Sequence, residues 1–79
     1  MGRRFPSLKT EQLEAIVREH CSFVRQGKGN HRIYENRNRH RFPFDFHPGR
    51  EVNPILVRRV LLRDVGLTLE QAEQAVGIR

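Results

Sequence analysis

The segment at residues 41–47, RFPFDFH, has a phenylalanine at every second position. Successive side chains of a β-strand point to opposite faces, so Phe42, Phe44 and Phe46 are predicted to cover a hydrophobic core from one face of a strand. Pro43 has no backbone N–H to donate, which places this strand at a sheet edge. A chain this short buries only about 60% of its unfolded surface. The strand is therefore predicted to belong to one small two-layer domain.

Two more strands are predicted just before it. Residues 21–26, CSFVRQ, are rich in strand-forming side chains and end at the glycine-containing turn 27–30, GKGN. Residues 31–37, HRIYENR, follow as the second strand, and residues 36–40, NRNRH, have the composition of a hairpin loop. Loops of this length join neighbouring antiparallel strands. The three strands are therefore predicted to form an antiparallel sheet.

Two amphipathic helices flank these strands. The first is predicted over residues 11–20, with Thr10 as its N-cap and apolar residues at helical spacing. The second begins at Pro54, after the capping residue Asn53, and stops at Gly66. Five apolar residues of the second helix fall within one half of its circumference and are predicted to cover the sheet: Leu56, Val57, Val60, Leu61 and Val65.

A short last helix is predicted from the capping-box pattern at residues 68–71, TLEQ, through Val76 to Gly77. The order helix, three strands, helix, short helix predicts an α+β domain, with an antiparallel three-stranded sheet and the two longer helices on one face. Residues 1–9 have no clear period and are predicted to form a flexible basic arm. The domain is then expected over residues 10–79.

Three side chains at the margin of the predicted core permit two interpretations each. Ile55 and Leu62, seven positions apart, lie on another side of the second helix, either as the flank of the core or as a docking surface for another protein. Cys21 follows an apolar helix face and has no second cysteine to pair with, which favours a small buried side chain over a reactive thiol.

The charge is strongly positive and unevenly distributed. Fifteen Lys and Arg against nine Asp and Glu give a formal net charge of +6, which suits a polyanionic partner such as nucleic acid. Between residues 25 and 41 a single acid, Glu35, stands among six cations that are the candidate RNA-binding residues: Arg25, Lys28, Arg32, Arg37, Arg39 and Arg41. The alternative is a solvated arginine-rich edge that keeps the sheet from pairing with other chains.

Composition excludes several classes of protein. With 37% hydrophobic and 30% charged residues, the chain has the balance of a soluble protein. It lacks both the run of ~20 apolar residues that a membrane span needs and the apolar core of a signal peptide, so a cytoplasmic location is expected. Four histidines and one cysteine lack zinc-site spacing, and the turn GKGN matches no nucleotide-binding fingerprint. No metal and no cofactor are expected.

His31 is the candidate catalytic residue. RNA supplies its own nucleophile, the 2′-OH, so a small ribonuclease needs cations for the phosphate, a group that takes the 2′ proton and a group that protonates the leaving 5′ oxygen. Lys28 and Arg32 next to His31 disfavour its protonated form, so we expect a neutral imidazole that acts as the base. His40, His47 and Lys28 are candidates for the second role, which the sequence leaves unassigned.

The orientation of His31 depends on which face of its strand is buried. His31 alternates with Ile33, so a buried Ile33 would place the imidazole at the rim of the core. Tyr34 faces the opposite way, and the sequence leaves open whether it stacks on bases or packs inside. The alternative to a catalytic role is that His31, at the start of a strand, only forms hydrogen bonds with the preceding turn.

Three separated stretches carry a family resemblance: VRQGKGNHRIY at residues 24–34, HPGREV at 47–52 and GLT at 66–68. With the order of elements, they make the chain resemble the HicA toxins of bacterial toxin–antitoxin pairs, from about Thr10 to the last helix. The resemblance implies a fold similar to double-stranded-RNA-binding domains, cleavage of mRNA that stops translation, and neutralisation by a HicB antitoxin.

The same resemblance implies which residue is functional. The histidine of the family's glycine, serine, histidine motif corresponds to His31, whereas Asn30 stands where the family usually has serine. The helix after the HPG stretch is also about one residue longer than in the family pattern.

Three functional hypotheses follow. The leading one is a metal-independent endoribonuclease toxin that binds mRNA through its basic face and cleaves it with His31. A HicB-like antitoxin is then expected to cover His31, to supply carboxylates to the arginines, and to contact Ile55 and Leu62. The first alternative is a non-catalytic RNA-binding module of the same fold. The second is a protein-interaction domain that uses Ile55, Leu62 and the basic rim.

Overall fold

The structure is a computed structural model that describes residues 4–78. The chain forms, in order, β1 (Leu8–Lys9), α1 (Thr10–His20), β2 (Ser22–Gln26), β3 (His31–Glu35), β4 (Arg41–Asp45), β5 (Glu51–Val52), α2 (Pro54–Arg59) with a π-helical turn over Val60–Asp64, and α3 (Leu69–Ala75). This order confirms the predicted α+β class. No helix within residues 4–78 is long and apolar enough to cross a membrane.

An antiparallel sheet in the order β2–β3–β4 forms one layer, as predicted. In the register of β3 with β4, Tyr34 pairs with Phe42 and Arg32 pairs with Phe44. Residues that pair directly across an antiparallel ladder have side chains on the same face. One face of the sheet therefore carries Tyr34, Phe42 and Phe44, all buried. Strand β4 lies at the edge, as Pro43 predicts.

The core fills the space between this face and the helices. It contains Phe5, Leu13, Ile16, Val17, Tyr34, Phe42, Phe44, Val57, Leu61, Val65, Leu67 and Ala72. Because Tyr34 is almost fully buried, with its ring stacked on Phe42 and edge-on to Phe44 at centroid distances of 6.3 Å, it packs inside and is closed to bases. We call the other face of the sheet, which carries no helix-facing core residue, the open face.

Strand β2 contains an irregularity that the sequence did not reveal. Phe23 pairs with Tyr34, whereas Arg25 pairs with Ile33, so one extra residue, Val24, interrupts the alternation. A β-bulge of this kind redirects the side chains that follow it. Without it, Phe23 and Arg25 would share a face. With it, Phe23 lies on the face of Tyr34 and Arg25 lies on the open face.

Helix α2 begins as predicted and then widens. The Asn53 side chain accepts a hydrogen bond from the Leu56 N–H at 2.9 Å, and Pro54 occupies the first position. Over Val60–Asp64 the backbone is π-helical, closed by a bond of 2.9 Å from the Val65 N–H to the Val60 carbonyl. A π turn holds one more residue than an α turn.

The wider turn determines which apolar residues face the core. Val57, Leu61 and Val65 are buried, and Val60 and Leu62 pack partly against the core. The prediction that Leu56 covers the sheet is wrong, because this residue is 42% exposed. The buried residues of this helix, Val57, Leu61 and Val65, recur every four positions along one side. Leu56 does not lie on that side.

The N-terminal segment is ordered where a flexible arm was predicted. Leu8 and Lys9 form an antiparallel two-stranded sheet with Val52 and Glu51, and Phe5 is buried in the core. The prediction of a free arm is therefore wrong for residues 5–9, while residues 1–3 lie outside the described part of the chain. The pairing partner is more than 40 residues away, so no local pattern reveals it.

The first helix also begins differently from the prediction. Thr10 is its first helical residue rather than its cap, and both its backbone N–H and its hydroxyl donate to the Arg50 carbonyl, at 2.9 and 3.0 Å. Lys9 occupies the cap position, where its N–H donates to the Gln12 side chain. The capping box of α3 is confirmed: Thr68 and Gln71 each accept the other's backbone N–H through their side chains.

Candidate active site

His31 is exposed on the open face at the start of β3. Because Tyr34 faces the core, the alternation turns His31 away from it, and Ile33 on the same side is only half-buried. The His31 N–H donates to the Lys28 carbonyl at 3.0 Å, and its carbonyl accepts from the Gly27 N–H at 2.8 Å. The backbone of His31 is thus fixed by the tight turn 27–30, while its ring is open to a ligand.

Gly27 makes this turn possible by having no side chain. A Cβ at this position would lie 3.2 Å from the His31 carbonyl oxygen, 3.3 Å from the His31 Cβ and 3.2 Å from the Ile33 Cδ1. These distances are tighter than most real Cβ contacts, so a larger residue would displace His31 or Ile33 by a few tenths of an ångström. The glycine-rich stretch therefore positions the histidine sterically.

Asp45 is the cross-strand partner of His31. The two residues are paired in the register of β3 and β4, and a carboxylate oxygen of Asp45 lies 3.8 Å from His31 Nε2. The charged group within ion-pair distance of the imidazole is therefore an anion. Arg32, one of the two cations expected beside His31, points to the opposite face.

His47 approaches the same carboxylate from the other side. Its Nε2 lies 3.1 Å from the second oxygen of Asp45, and its Nδ1 lies 3.3 Å from the Asn30 side-chain amide. The Phe46 N–H donates to the Asn30 carbonyl at 2.9 Å, which holds this end of β4 against the turn. Two imidazoles thus flank one carboxylate, and we call this group the His31–Asp45–His47 cluster.

The turn that carries His47 is anchored to the start of α1. The Arg50 N–H donates to the His47 carbonyl at 3.0 Å, with Pro48 second and Gly49 third at a φ of +75°, the pattern of a type II turn. The Glu11 carboxylate accepts the Gly49 N–H at 2.9 and 3.1 Å. The HPG stretch is therefore held against the start of α1 by a residue distant in sequence.

Arg32 is placed differently from the sequence prediction. Its guanidinium contacts both Glu14 oxygens, at 2.7 and 2.8 Å, and lies 3.9 Å above the Phe46 ring. The Tyr34 hydroxyl donates to the same Glu14 carboxylate at 2.8 Å. Burial, together with this bond and the Glu14 charge, raises the pKa of Tyr34 above its ordinary value. Arg32 therefore forms an internal ion pair under the sheet instead of facing a ligand.

The remaining five predicted RNA-binding residues are exposed: Arg25, Lys28, Arg37, Arg39 and Arg41. Arg25 and Lys28 lie near the His31 end of the hairpin, and the other three lie at or beyond its far end. Strand β3 separates the ends by roughly 13 Å, at about 3.3 Å per residue. Arg41 also bonds to Glu35 at 2.9 Å. Cations therefore stand at both ends of a strand that begins with His31.

Of the three candidates for a second proton-transfer group, His47 is the one whose side chain contacts the residues around His31, namely Asp45 and Asn30. His40 lies beyond the far end of β3, near Asp64. Burial raises the pKa of Asp64 above its ordinary value, and the positive charges of Arg63 and His40 offset part of this rise. Lys28 is exposed in the turn. Sequence reasoning did not identify Asp45 as a site residue. Its pairing with His31 could have been found by matching residues of the two strands outward from the hairpin loop, from Glu35 with Arg41 to His31 with Asp45.

Ile55 and Leu62 differ in exposure. Ile55 is 74% exposed, whereas Leu62 is half-buried and packs against the core. Together with three arginines they border a surface cavity of about 460 Å³: Ile55, Arg58, Arg59, Leu62 and Arg63. This side of α2 therefore combines an apolar centre with a cationic rim.

The fold, with one three-stranded antiparallel sheet and helices on one face, is that of double-stranded-RNA-binding-like domains. The family described as HicA toxin of bacterial toxin–antitoxin matches residues 10–67, well over half of the chain. The chain therefore belongs to the HicA toxin family of bacterial toxin–antitoxin systems, and its biological partner is an antitoxin. Comparisons with curated proteins and with solved structures gave no match.

Proposed function

We propose that this toxin is a metal-independent endoribonuclease that cleaves mRNA in the cytoplasm and so inhibits translation. The observation that carries the proposal is the exposed imidazole of His31, next to Asp45 on a face bordered by cations. The family resemblance assigns the functional histidine to the same residue. A histidine can accept a proton near neutral pH, and RNA provides the nucleophile.

The proposed reaction is an internal displacement at phosphorus. His31 takes the proton of a ribose 2′-OH, the oxygen attacks the adjacent phosphorus, and the bond to the 5′ oxygen breaks. The products are a 2′,3′-cyclic phosphate and a 5′-hydroxyl. Arg25 and Lys28 hold phosphates near His31, and Arg37, Arg39 and Arg41 hold the strand farther along. Arg32 is left out of this set, because its Nη1 is paired with Glu14 and its side chain lies on the opposite face of the sheet.

The proposed antitoxin is a HicB-like protein that acts by occlusion. It covers His31 and separately contacts Ile55 and Leu62, with carboxylates opposite Arg58 and Arg63. Titration calorimetry with the neighbouring open reading frame's product tests this contact. Ile55→Ser should weaken binding without changing ribonuclease activity, and an unchanged affinity would exclude this surface.

Incubation of labelled RNA with the purified protein in the presence of EDTA tests the ribonuclease proposal. The parent protein and a His40→Ala control, altered at an exposed histidine in the loop beyond the far end of β3, should both cleave. His31→Ala should lose cleavage and retain RNA binding. Equal cleavage by His31→Ala would contradict the role of His31.

A non-catalytic RNA-binding module is the second candidate. It is favoured by the cations at both ends of β3, which bind a phosphate backbone whether or not cleavage follows, and by Asn30 in place of the family's serine. RNA binding without cleavage by the parent protein would support it.

A further inference from the structure

We propose that His47 is the second proton-transfer residue, the general acid that protonates the leaving 5′ oxygen, and that Asp45 and Asn30 are the residues that position it. The inference rests on the proposed ribonuclease function and assigns the role that the sequence leaves open. It comes from the convergence of both histidines on one carboxylate.

Geometry places His47 beside the same substrate as His31. The Nε2 atoms of the two rings lie 3.8 and 3.1 Å from the two oxygens of Asp45. Both side chains retain solvent access, at 50% for His31 and 34% for His47. A phosphate bound beside the cluster, next to Asn30, would therefore lie near both rings, which is the arrangement that a base and an acid need.

Distance to the shared carboxylate distinguishes the two roles. Acid–base cleavage needs one ring that accepts a proton and one ring that donates a proton. His47 Nε2 lies within hydrogen-bond distance of Asp45, at 3.1 Å, whereas His31 Nε2 lies 3.8 Å from it. The role of donor therefore goes to His47, the ring that the carboxylate contacts directly.

Asn30 leaves the donating atom of His47 available. With Nε2 of His47 held by Asp45, the donating atom is Nδ1, which faces the Asn30 amide nitrogen across a long contact of 3.3 Å. An asparagine side chain offers a donor and an acceptor, so a half-turn of the amide suits either protonation state of Nδ1. A leaving oxygen can replace this weak contact.

The reaction then leaves the charge of the cluster unchanged. His31 takes the 2′ proton, the 2′ oxygen forms its bond to phosphorus, and the electrons of the breaking bond go to the 5′ oxygen. That oxygen takes the Nδ1 proton of His47. The cluster ends with His31 protonated and His47 neutral, balanced by the same Asp45, and exchange of protons with water restores the starting state.

Two matched substrates test the assignment. One is an ordinary RNA oligonucleotide, and the other has sulfur in place of the leaving 5′ oxygen at one linkage, which departs as a thiolate without needing a proton. His47→Ala should slow the oxygen substrate by about 10²- to 10⁴-fold and leave the sulfur substrate close to the wild-type rate. His31→Ala should slow both. The sulfur substrate also shows that the variant is folded.

Other outcomes separate the two proposals. Wild-type cleavage of the oxygen substrate by His47→Ala, or an equal loss on both substrates, would overturn the role of His47 and leave the ribonuclease proposal intact. Failure of the parent protein to cleave either substrate would overturn both. Asp45→Asn should slow the oxygen substrate more than the sulfur one. An equal effect on both would show that Asp45 does not act through the donor.

Discussion

At the scale of single residues, Glu14 connects the sheet to α1. Its carboxylate, almost buried, accepts hydrogen bonds from Arg32 and Tyr34. The sequence gives no sign of this, because an acid on a helix looks solvated until its partners on another element are known. The same network explains why Arg32 forms an internal ion pair while the other five predicted RNA-binding residues are exposed.

Replacing Glu14 should therefore destabilise the fold. Glu14→Gln removes the charge opposite a partly exposed Arg32 and weakens the bond from Tyr34, at a cost of about 1–3 kcal/mol. Urea denaturation measures the change. Glu19→Gln, on the exposed side of the same helix, is the control and should change stability by less than about 0.5 kcal/mol. Equal effects would contradict the network.

The thiol of Cys21 should react slowly in the folded protein. Partial burial raises its pKa above the ordinary value, and Arg37 offsets part of the shift. A raised pKa means less thiolate at a given pH, and the thiolate is the reactive form. Alkylation by iodoacetamide at pH 8 should be slower in the native protein than in urea. Equal rates would contradict the predicted burial.

At the scale of elements, the turn between β2 and β3 leaves no room for a side chain at Gly27, and this fixes the position of His31. Gly27→Ala introduces a Cβ 3.2 Å from the His31 carbonyl, so His31 should shift and cleavage should fall by about tenfold. Gly29→Ala provides the comparison: its Cβ meets nothing within 4 Å, but its φ of +58° costs about 1 kcal/mol of stability. Kinetics and denaturation should separate the two, and a larger kinetic loss for Gly29→Ala would refute the steric account.

The N-terminal segment is a second test at this scale. Because Phe5 is buried and β1 pairs with β5, Phe5→Ala should lower the free energy of unfolding by about 3 kcal/mol. Ser7→Ala, at an exposed position of the same segment, should have little effect. An unchanged denaturation midpoint for Phe5→Ala would mean that this segment does not pack on the domain.

The elements also show how far sequence reasoning extends. The alternation of phenylalanines, the Asn53–Pro54 start of α2 and the capping box at Thr68 depend on neighbours in the chain, and the structure confirms each. The bulge at Val24 and the pairing of β1 with β5 depend on contacts between separate strands. For the same reason His31 could be chosen from its motif, whereas the contact of Asn30 with His47, 17 residues away, required the fold.

At the scale of the whole molecule, the open face is the predicted RNA-binding surface and the helical face is the core. Arg25→Gln should weaken RNA binding and reduce the slope of log affinity against log salt by about 0.7 for a single strand, because one phosphate contact is lost. Arg32→Gln should lower stability and leave that slope unchanged, since Glu14 holds the guanidinium. Filter binding at several salt concentrations measures both. A reduced slope for Arg32→Gln and an unchanged slope for Arg25→Gln would mean that Arg32, and not Arg25, contacts the phosphate.

The chemistry of the cleaved ends tests the central claim most directly. A labelled mRNA fragment is digested in EDTA, and its ends are identified by sensitivity to phosphatase and kinase. A parallel substrate has a 2′-deoxyribose at the cleaved position. The account predicts 2′,3′-cyclic phosphate and 5′-hydroxyl ends and no cleavage at the deoxy position. Ends with 5′-phosphate and 3′-hydroxyl, or cleavage of the deoxy linkage, would mean that water rather than the 2′-OH attacks, and would contradict the proposed role of His31.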